Sequence, residues 1–112
     1  MTPAERDIQR VILARAAEIP GVYLYRVNVS VAQAGRRAIR SAPTGHADLV
    51  GCVRGQYVAI EVKSVTGRQS PEQRSFAERV NSAGGRYLLV RSVDDAIAYL
   101  WSLSTRLAPS AP

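Results

Sequence analysis

The sequence predicts an α/β fold in the order helix, strand, hairpin, helix, strand, helix, with a mixed central sheet of about four strands. Three observations lead there. Two stretches open helices with the same signature, Thr2-Pro3-Ala4-Glu5 and Ser70-Pro71-Glu72-Gln73. Each has a hydroxyl N-cap, proline at the first helical position and an acid or amide at the third, the residues of a capping box. Two apolar runs meet at Arg54-Gly55, a two-residue loop with glycine where a hairpin turn needs a positive φ. Finally, the helix from Pro71 lies between the second of those runs and Arg86–Val90, so these two strands should pair in parallel through a right-handed crossover.

In chain order, Thr2 caps a first helix whose apolar stripe is Ile8, Val11, Ile12, Ala16 and Ile19. It should run to about Glu18 and stop before Pro20-Gly21. Val22 to Val31 is rich in β-branched and aromatic residues and alternates from Tyr25 onward. It reads as one strand, with Arg26, Asn28 and Ser30 on one face and Val27, Val29 and Val31 on the other. Ala32 to Thr44 has no regular period and reads as a basic loop carrying Arg36, Arg37 and Arg40. The hairpin occupies Gly45 to Lys63, and Ser64 to Gln69 is a loop. The second helix turns Phe76, Ala77, Val80 and Ala83 inward and ends at Gly84-Gly85. Arg86–Val90 is expected to be a short buried strand. Ser92 then caps a third helix whose apolar face holds Ile97, Leu100, Trp101 and Leu107. No linker or repeat interrupts the chain, so residues 1–105 read as one domain and 106–112 as a frayed tail.

The hairpin concentrates the chemistry. Its two-residue loop sets Val53 opposite Gln56, Leu49 opposite Ile60 and Asp48 opposite Glu61, with Lys63 two residues on and on the same side. Opposed side chains there lie about 4.5–5.5 Å apart at Cβ, where like charges repel. Val58, Ile60 and Val62 alternate with Tyr57 and Ala59, so the second strand is apolar on both faces up to its charged end. That is the pattern of a covered strand, in which an unpaired carboxylate is costly. Acids so placed call for a proton or a cation between them. Lys63 is the only lysine among 15 basic residues, a compact ammonium where the composition elsewhere supplies guanidinium. Cys52, the single cysteine, falls within the first hairpin strand and reads as a small buried residue.

Composition narrows the classes. A net charge of +6 favours a polyanionic partner, most simply nucleic acid. One cysteine and one histidine exclude an internal disulfide and a zinc cluster. No apolar run approaches the roughly 18 residues of a membrane span, and the charged start, MTPAERDIQR, lacks the core of a signal peptide. The expectation is therefore a cytoplasmic protein without a membrane partner. P-loop and dinucleotide fingerprints are absent, and neither Cys52 nor any serine has a neighbouring histidine to serve as base. Metal-assisted hydrolysis of a phosphodiester remains. Asp48 and Glu61 would hold Mg²⁺, with the main-chain carbonyl of Val62 as a further ligand, and Lys63 would orient the attacking water or offset developing charge. Arg26, Arg36, Arg37, Arg40 and Arg68 are the candidate contacts to the DNA backbone.

Taken together, G-x-x-D (Gly45 to Asp48), E-V-K (Glu61 to Lys63) and S-P-E-Q-R-S-F (Ser70 to Phe76) resemble the PD-(D/E)xK nuclease superfamily. More narrowly they resemble its VRR-NUC branch, the virus-type replication-repair nuclease domain. Glu5 to Gln9, Arg26 to Asn28 and Gly84 to Asp95 extend the likeness over roughly residues 3–103. The resemblance implies a restriction-endonuclease-like fold and Mg²⁺- or Mn²⁺-dependent DNA cleavage. It assigns metal binding to Asp48 and Glu61 and catalysis to Lys63, and it adds Gln73 beside the metal and Glu5 reaching it from the first helix. Ala47 stands where many members have proline, a change of backbone shaping only. His46 fits a turn or substrate contact. Stand-alone members resemble Holliday-junction resolvases, which implies a homodimer acting on branched DNA in a bacterial or phage-infected cell. The strand from Val22 to Val31 and the Ala32–Thr44 loop are the candidate dimer faces. A non-catalytic basic DNA-binding module of the same fold is the alternative from another class, and an RNA-processing nuclease a third.

Overall fold

The computed structural model describes residues 2–28, 31–34, 37–40 and 43–110, and of 31–34 and 37–40 the backbone alone. Helices begin where their capping chemistry places them. In α1 (Pro3–Ala16) and α2 (Pro71–Ser82) both capping boxes are complete: the Thr2 and Ser70 hydroxyls accept the main-chain N–H of Glu5 and Gln73 at 3.1 Å, and each third-position side chain returns a bond to the cap N–H. α3 (Val93–Arg106) is capped by the Ser92 hydroxyl, which accepts the Asp95 N–H.

One four-stranded sheet has the order β1 (Val22–Arg26), β4 (Leu49–Val53), β5 (Gln56–Val62), β6 (Arg86–Val90). β4 and β5 are antiparallel with Leu49 opposite Ile60 and Val53 opposite Gln56, the register a two-residue turn imposes. Arg54 and Gly55 both have positive φ, 46° and 86°, as a type I′ turn requires. β5 and β6 run parallel across α2, with Glu61 beside Leu89. This is the three-helix, mixed four-stranded α/β architecture the sequence predicts.

The sheet is packed on both faces. α1 and α3 cover one, burying Ile12, Leu49, Val58, Ile60, Leu100 and Leu103; α2 covers part of the other, where Ala47, Val50, Ala59 and Phe76 cluster. β5 is accordingly buried from Val58 through Val62. Each fully buried large aliphatic is worth about 1.5–3 kcal/mol, so the strand that ends in the acid is among the most firmly held.

Five expectations change. The strand from Val22 ends at Arg26 rather than Val31, because its antiparallel partner begins only at Leu49: Val27 N–H still reaches Asp48 O at 2.9 Å, and beyond it the partner chain turns away. Ala32–Thr44 is not a loop throughout, since β2 (Val31–Ala34) and β3 (Arg37–Arg40) form a separate antiparallel hairpin; runs of four residues are too short to show a period. Cys52 is exposed, not buried, because α2 leaves that part of its face uncovered. Trp101 and Leu107 are 47% and 37% exposed. The stripe that α3 buries is Ala96, Ile97, Leu100, Leu103 and Ser104, which leaves Trp101 on its flank and Leu107 past the last turn. β6, an edge strand, is only half-buried before Val90.

Candidate active site

The C-terminal end of β5 gathers the predicted residues. Asp48, just ahead of β4, turns its carboxylate onto the last turn of the neighbouring strand, where Oδ2 accepts the Val62 N–H at 2.8 Å. Glu61 is 2% exposed. Its Oε1 accepts a hydrogen bond from Gln73 Nε2 and lies 3.8 Å from Lys63 Nζ. Its Oε2 is buried with no hydrogen-bond donor directed at it. Register sets Asp48 across from Glu61, and each carboxylate raises the cost of charging the other.

The electrostatics follow from that crowding. Burial, then the Asp48 charge, push the Glu61 carboxyl up to about 8, and Lys63 recovers only part of the cost. Asp48 is raised too, chiefly by burial, against the pull of the Val62 N–H. At neutral pH the pair therefore holds a proton that ordinary carboxylates would have released. A buried acid pair with an unsatisfied oxygen, beside an ammonium that does not neutralise it, fits a divalent cation between Asp48 and Glu61. Among the described residues no three His, Cys, Asp or Glu side chains are grouped to hold a metal, so a cation here would have two carboxylates and take its other ligands from main-chain oxygen and water.

Gln73 and Glu5 each perform two tasks. Gln73 Oε1 accepts the Ser70 N–H at 2.8 Å, completing the cap, while its amide N–H₂ reaches Glu61. Glu5 Oε2 accepts the Thr2 N–H at 3.2 Å and its Oε1 the Ser64 N–H at 3.0 Å, tying α1 to the loop beyond Lys63. Gly45 seats the second helix: φ is +78°, and a Cβ there would meet the Glu72 carbonyl at 2.3 Å. The glycine of G-x-x-D thus lets the start of α2 close over the acids. His46 packs against Phe76 beneath the same helix, the rings tilted by 46° with centroids 4.5 Å apart.

Of the candidate DNA contacts, Arg26 and Arg68 are exposed, Arg37 and Arg40 lie on the β3 backbone, and Arg36 falls outside the described residues. Four further residues belong to the site or its rim. Arg6 and Arg10 line a hollow with Arg26, Gln9 and Leu13; their four-residue spacing on one helix face was the available signal. Arg91 Nη1 donates to the carbonyls of Ser64 at 2.5 Å and Gly67 at 2.6 Å, fixing the loop that carries Arg68. The Tyr87 hydroxyl accepts from Gln69 at 3.1 Å and is pushed up to about 12, first by burial, with Glu61 and Asp48 adding to the rise. No spacing in the sequence marks the last two.

No helix among the described residues is long and apolar enough to cross a membrane. No family model matches the sequence, and neither does any curated protein. A solved structure of a "VRR_NUC domain protein" superposes with a TM-score of 0.69 at 14% identity, covering 96% of this chain and 93% of that one. The likeness spans the three helices and the mixed sheet together, and the chain has the VRR-NUC fold, an α/β architecture of restriction-endonuclease type.

Proposed function

We propose that the protein is a Mg²⁺- or Mn²⁺-dependent endodeoxyribonuclease selective for branched DNA. The observation that carries this is the buried Asp48–Glu61 pair, with Glu61 Oε2 lacking a donor and Lys63 beside it. A module that only binds DNA gains nothing from clustered acids turned toward phosphate, which repel it. Asp48 and Glu61 would hold the cation, with the Val62 carbonyl as a further ligand; Glu5, whose oxygens accept the Thr2 and Ser64 N–H groups, would join them only by giving one of these bonds up. Bound there, a divalent cation supplies Lewis acidity to the phosphate and lowers the pKa of a water. The chain's own groups do the rest. The Val62 N–H fixes the Asp48 carboxylate, and Gln73 fixes that of Glu61 without adding charge. The Lys63 ammonium offsets charge developing on the phosphate or orients the attacking water. Arg26, Arg37, Arg40 and Arg68 would position the backbone. Two symmetric cuts in a four-way junction need two active sites, so a homodimer is part of the proposal.

The test is incubation with four-way-junction, flap and linear duplex DNA in Mg²⁺, Mn²⁺ or EDTA. Cutting should require the metal, favour the branched substrates, and fall about 100-fold or more in Lys63→Ala and Asp48→Asn. Cutting that persists in EDTA, or in both variants, sinks the mechanism. Equal cutting of linear duplex removes the junction preference and leaves the nuclease.

A further inference from the structure

The face of the sheet that carries the acids also carries an uncovered row of aromatic rings. Register places Tyr25, Val50, Ala59 and Tyr87 in one row across the four strands, and Tyr23, Cys52 and Tyr57 in the next. The row beyond Tyr25 on the other side holds Asp48 and Glu61. α2 lies over the β5–β6 half of this face, packing Phe76 and Val80 against Ala59 and Tyr87. The other half-face, the buried Val50 apart, is open among the described residues: Tyr23 is 69% and Tyr25 49% exposed, with ring centroids 5.8 Å apart, and Tyr57 at its β5 border is 39% exposed. Large aromatics grouped in the open on a small soluble domain mark a binding surface.

We propose that this half-face is a stacking platform for unpaired bases of single-stranded DNA leading to the acid pair. Three features favour that occupant. The exposed groups are flat rings with one small thiol and no large aliphatic side chain, which suits the π-faces of bases in any sequence. β1, β4 and β5 carry no acid before Glu61, and Arg79 lines the hollow formed by Tyr57, Phe76, Val80 and Gly85 at the platform's border, so the surroundings suit a polyanion. The platform is also continuous with the site. Two residues along a strand advance about 6.6 Å, so Tyr25 stands one such step from the Asp48 row and Tyr23 two. A strand stacked there delivers its next phosphate to the acids, whereas a second copy of the chain seated on the same face would lie across that approach. The assignment as substrate rests on the nuclease reading; the binding does not. Tyr23 and Tyr25 are positioning residues, and the substrate class they select is branched or frayed DNA with unpaired bases beside the cut.

Fluorescence anisotropy in EDTA separates this from alternatives, because no cleavage is needed. The probes are a labelled oligo-dT strand and an abasic strand of equal length, with the same phosphates and no bases. Wild type should bind dT at least tenfold tighter than the abasic strand. Tyr23→Ala and Tyr25→Ala should each lose roughly tenfold on dT and little on the abasic strand, with Tyr25→Phe close to wild type. Equal affinity for the two probes, or unchanged dT affinity in both alanine variants, overturns the platform. Light scattering on the same proteins gives the other contrary result: if the alanine variants turn a dimer into a monomer and lose affinity for both probes alike, the face joins two copies. Ring-dependent dT binding by a protein that cuts nothing in Mg²⁺ would keep the platform and remove the nuclease.

Discussion

α1 and α2 start with the same four-residue device, yet they reach the site with opposite chemistry. Both third-position side chains cap their own helix with one end; with the other Gln73 holds Glu61 at the end of β5, and Glu5 holds Ser64 in the loop that follows. Glu5 needs two acceptors, one for the Thr2 N–H and one for the Ser64 N–H. Gln73 needs an acceptor for the Ser70 N–H and a donor for Glu61. A carboxylate has acceptors only and an amide has one of each kind, so the residue types are not interchangeable although the cap motif tolerates both. The difference teaches that a capping position next to a reactive centre can be typed by its second partner: a neutral donor against a buried acid, a charged acceptor against the main chain.

The largest expected effect separates the two partners by pH. In the metal-free protein Glu61 is pushed from 4.5 to about 8, while the Ser64 N–H held by Glu5 does not titrate. Between those values the folded state holds a proton that the unfolded state has released. Stability from this group is therefore fully present below pH ~4.5 and is lost as pH rises through about 8. A shift of this size corresponds to on the order of 5 kcal/mol. Urea unfolding in EDTA should show that decline, and Glu61→Gln should flatten it. Excess Mg²⁺ at the alkaline end should restore part of it by binding the folded state. A wild-type profile in EDTA that is flat or rises across this window would contradict the buried acid pair.

Next in size is the seat of α2. Gly45→Ala puts a Cβ at 2.3 Å from the Glu72 carbonyl, on a residue with φ +78°. Overpacking and left-handed strain together should cost about 3 kcal/mol. Because the clash moves the start of α2, the Gln73–Glu61 bond should go with it while the Glu5–Ser64 link stays. Hydrogen exchange would read the asymmetry as faster amides in the first turn of α2 and unchanged ones in α1. Equal loosening of both helix starts would show that Gly45 does not act through α2.

Much of this site could be read before the structure. Arg54-Gly55 fixed the hairpin register, and with it the meeting of Asp48, Glu61 and Lys63, because a two-residue turn leaves no freedom in strand pairing. The proline-initiated caps located α1 and α2 for a similarly local reason. What stayed hidden depends on tertiary neighbours. Cys52 is exposed and Tyr25 half-exposed because α2 is too short to cover the whole sheet face, and no residue near either announces that. Arg91 holds the Ser64–Gly67 carbonyls across 27 residues of sequence, a partnership without a spacing. The hairpin of β2 and β3 is not legible because strands of four residues, Val31–Ala34 and Arg37–Arg40, present too little alternation to read. Gln73 and Glu5 fall between these cases: the cap was legible, the second partner was not.

The smallest effects come from exchanging the two side chains, which tests the comparison most directly. Gln73→Glu turns an acceptor toward Glu61 Oε1 and adds a third carboxylate beside Asp48, so in EDTA it should cost about 2 kcal/mol, the penalty for facing a buried acceptor with another. Mg²⁺ should recover part of that, since added negative charge is what a cation offsets. Glu5→Gln leaves one oxygen for two N–H donors. The Thr2 N–H is exposed and can turn to water, so the loss falls on one of two bonds and should be about 1 kcal/mol. It should be indifferent to Mg²⁺ unless Glu5 is itself a ligand, in which case the variant binds the metal more weakly while keeping its metal-free stability. Urea midpoints with and without Mg²⁺ for the two single variants and the double exchange give the answer. The double exchange keeps composition and net charge, so a deficit near the sum of the singles assigns the effect to donor and acceptor placement. A double variant as stable as wild type would mean that charge alone, and not the partner each end meets, sets the residue type at these caps.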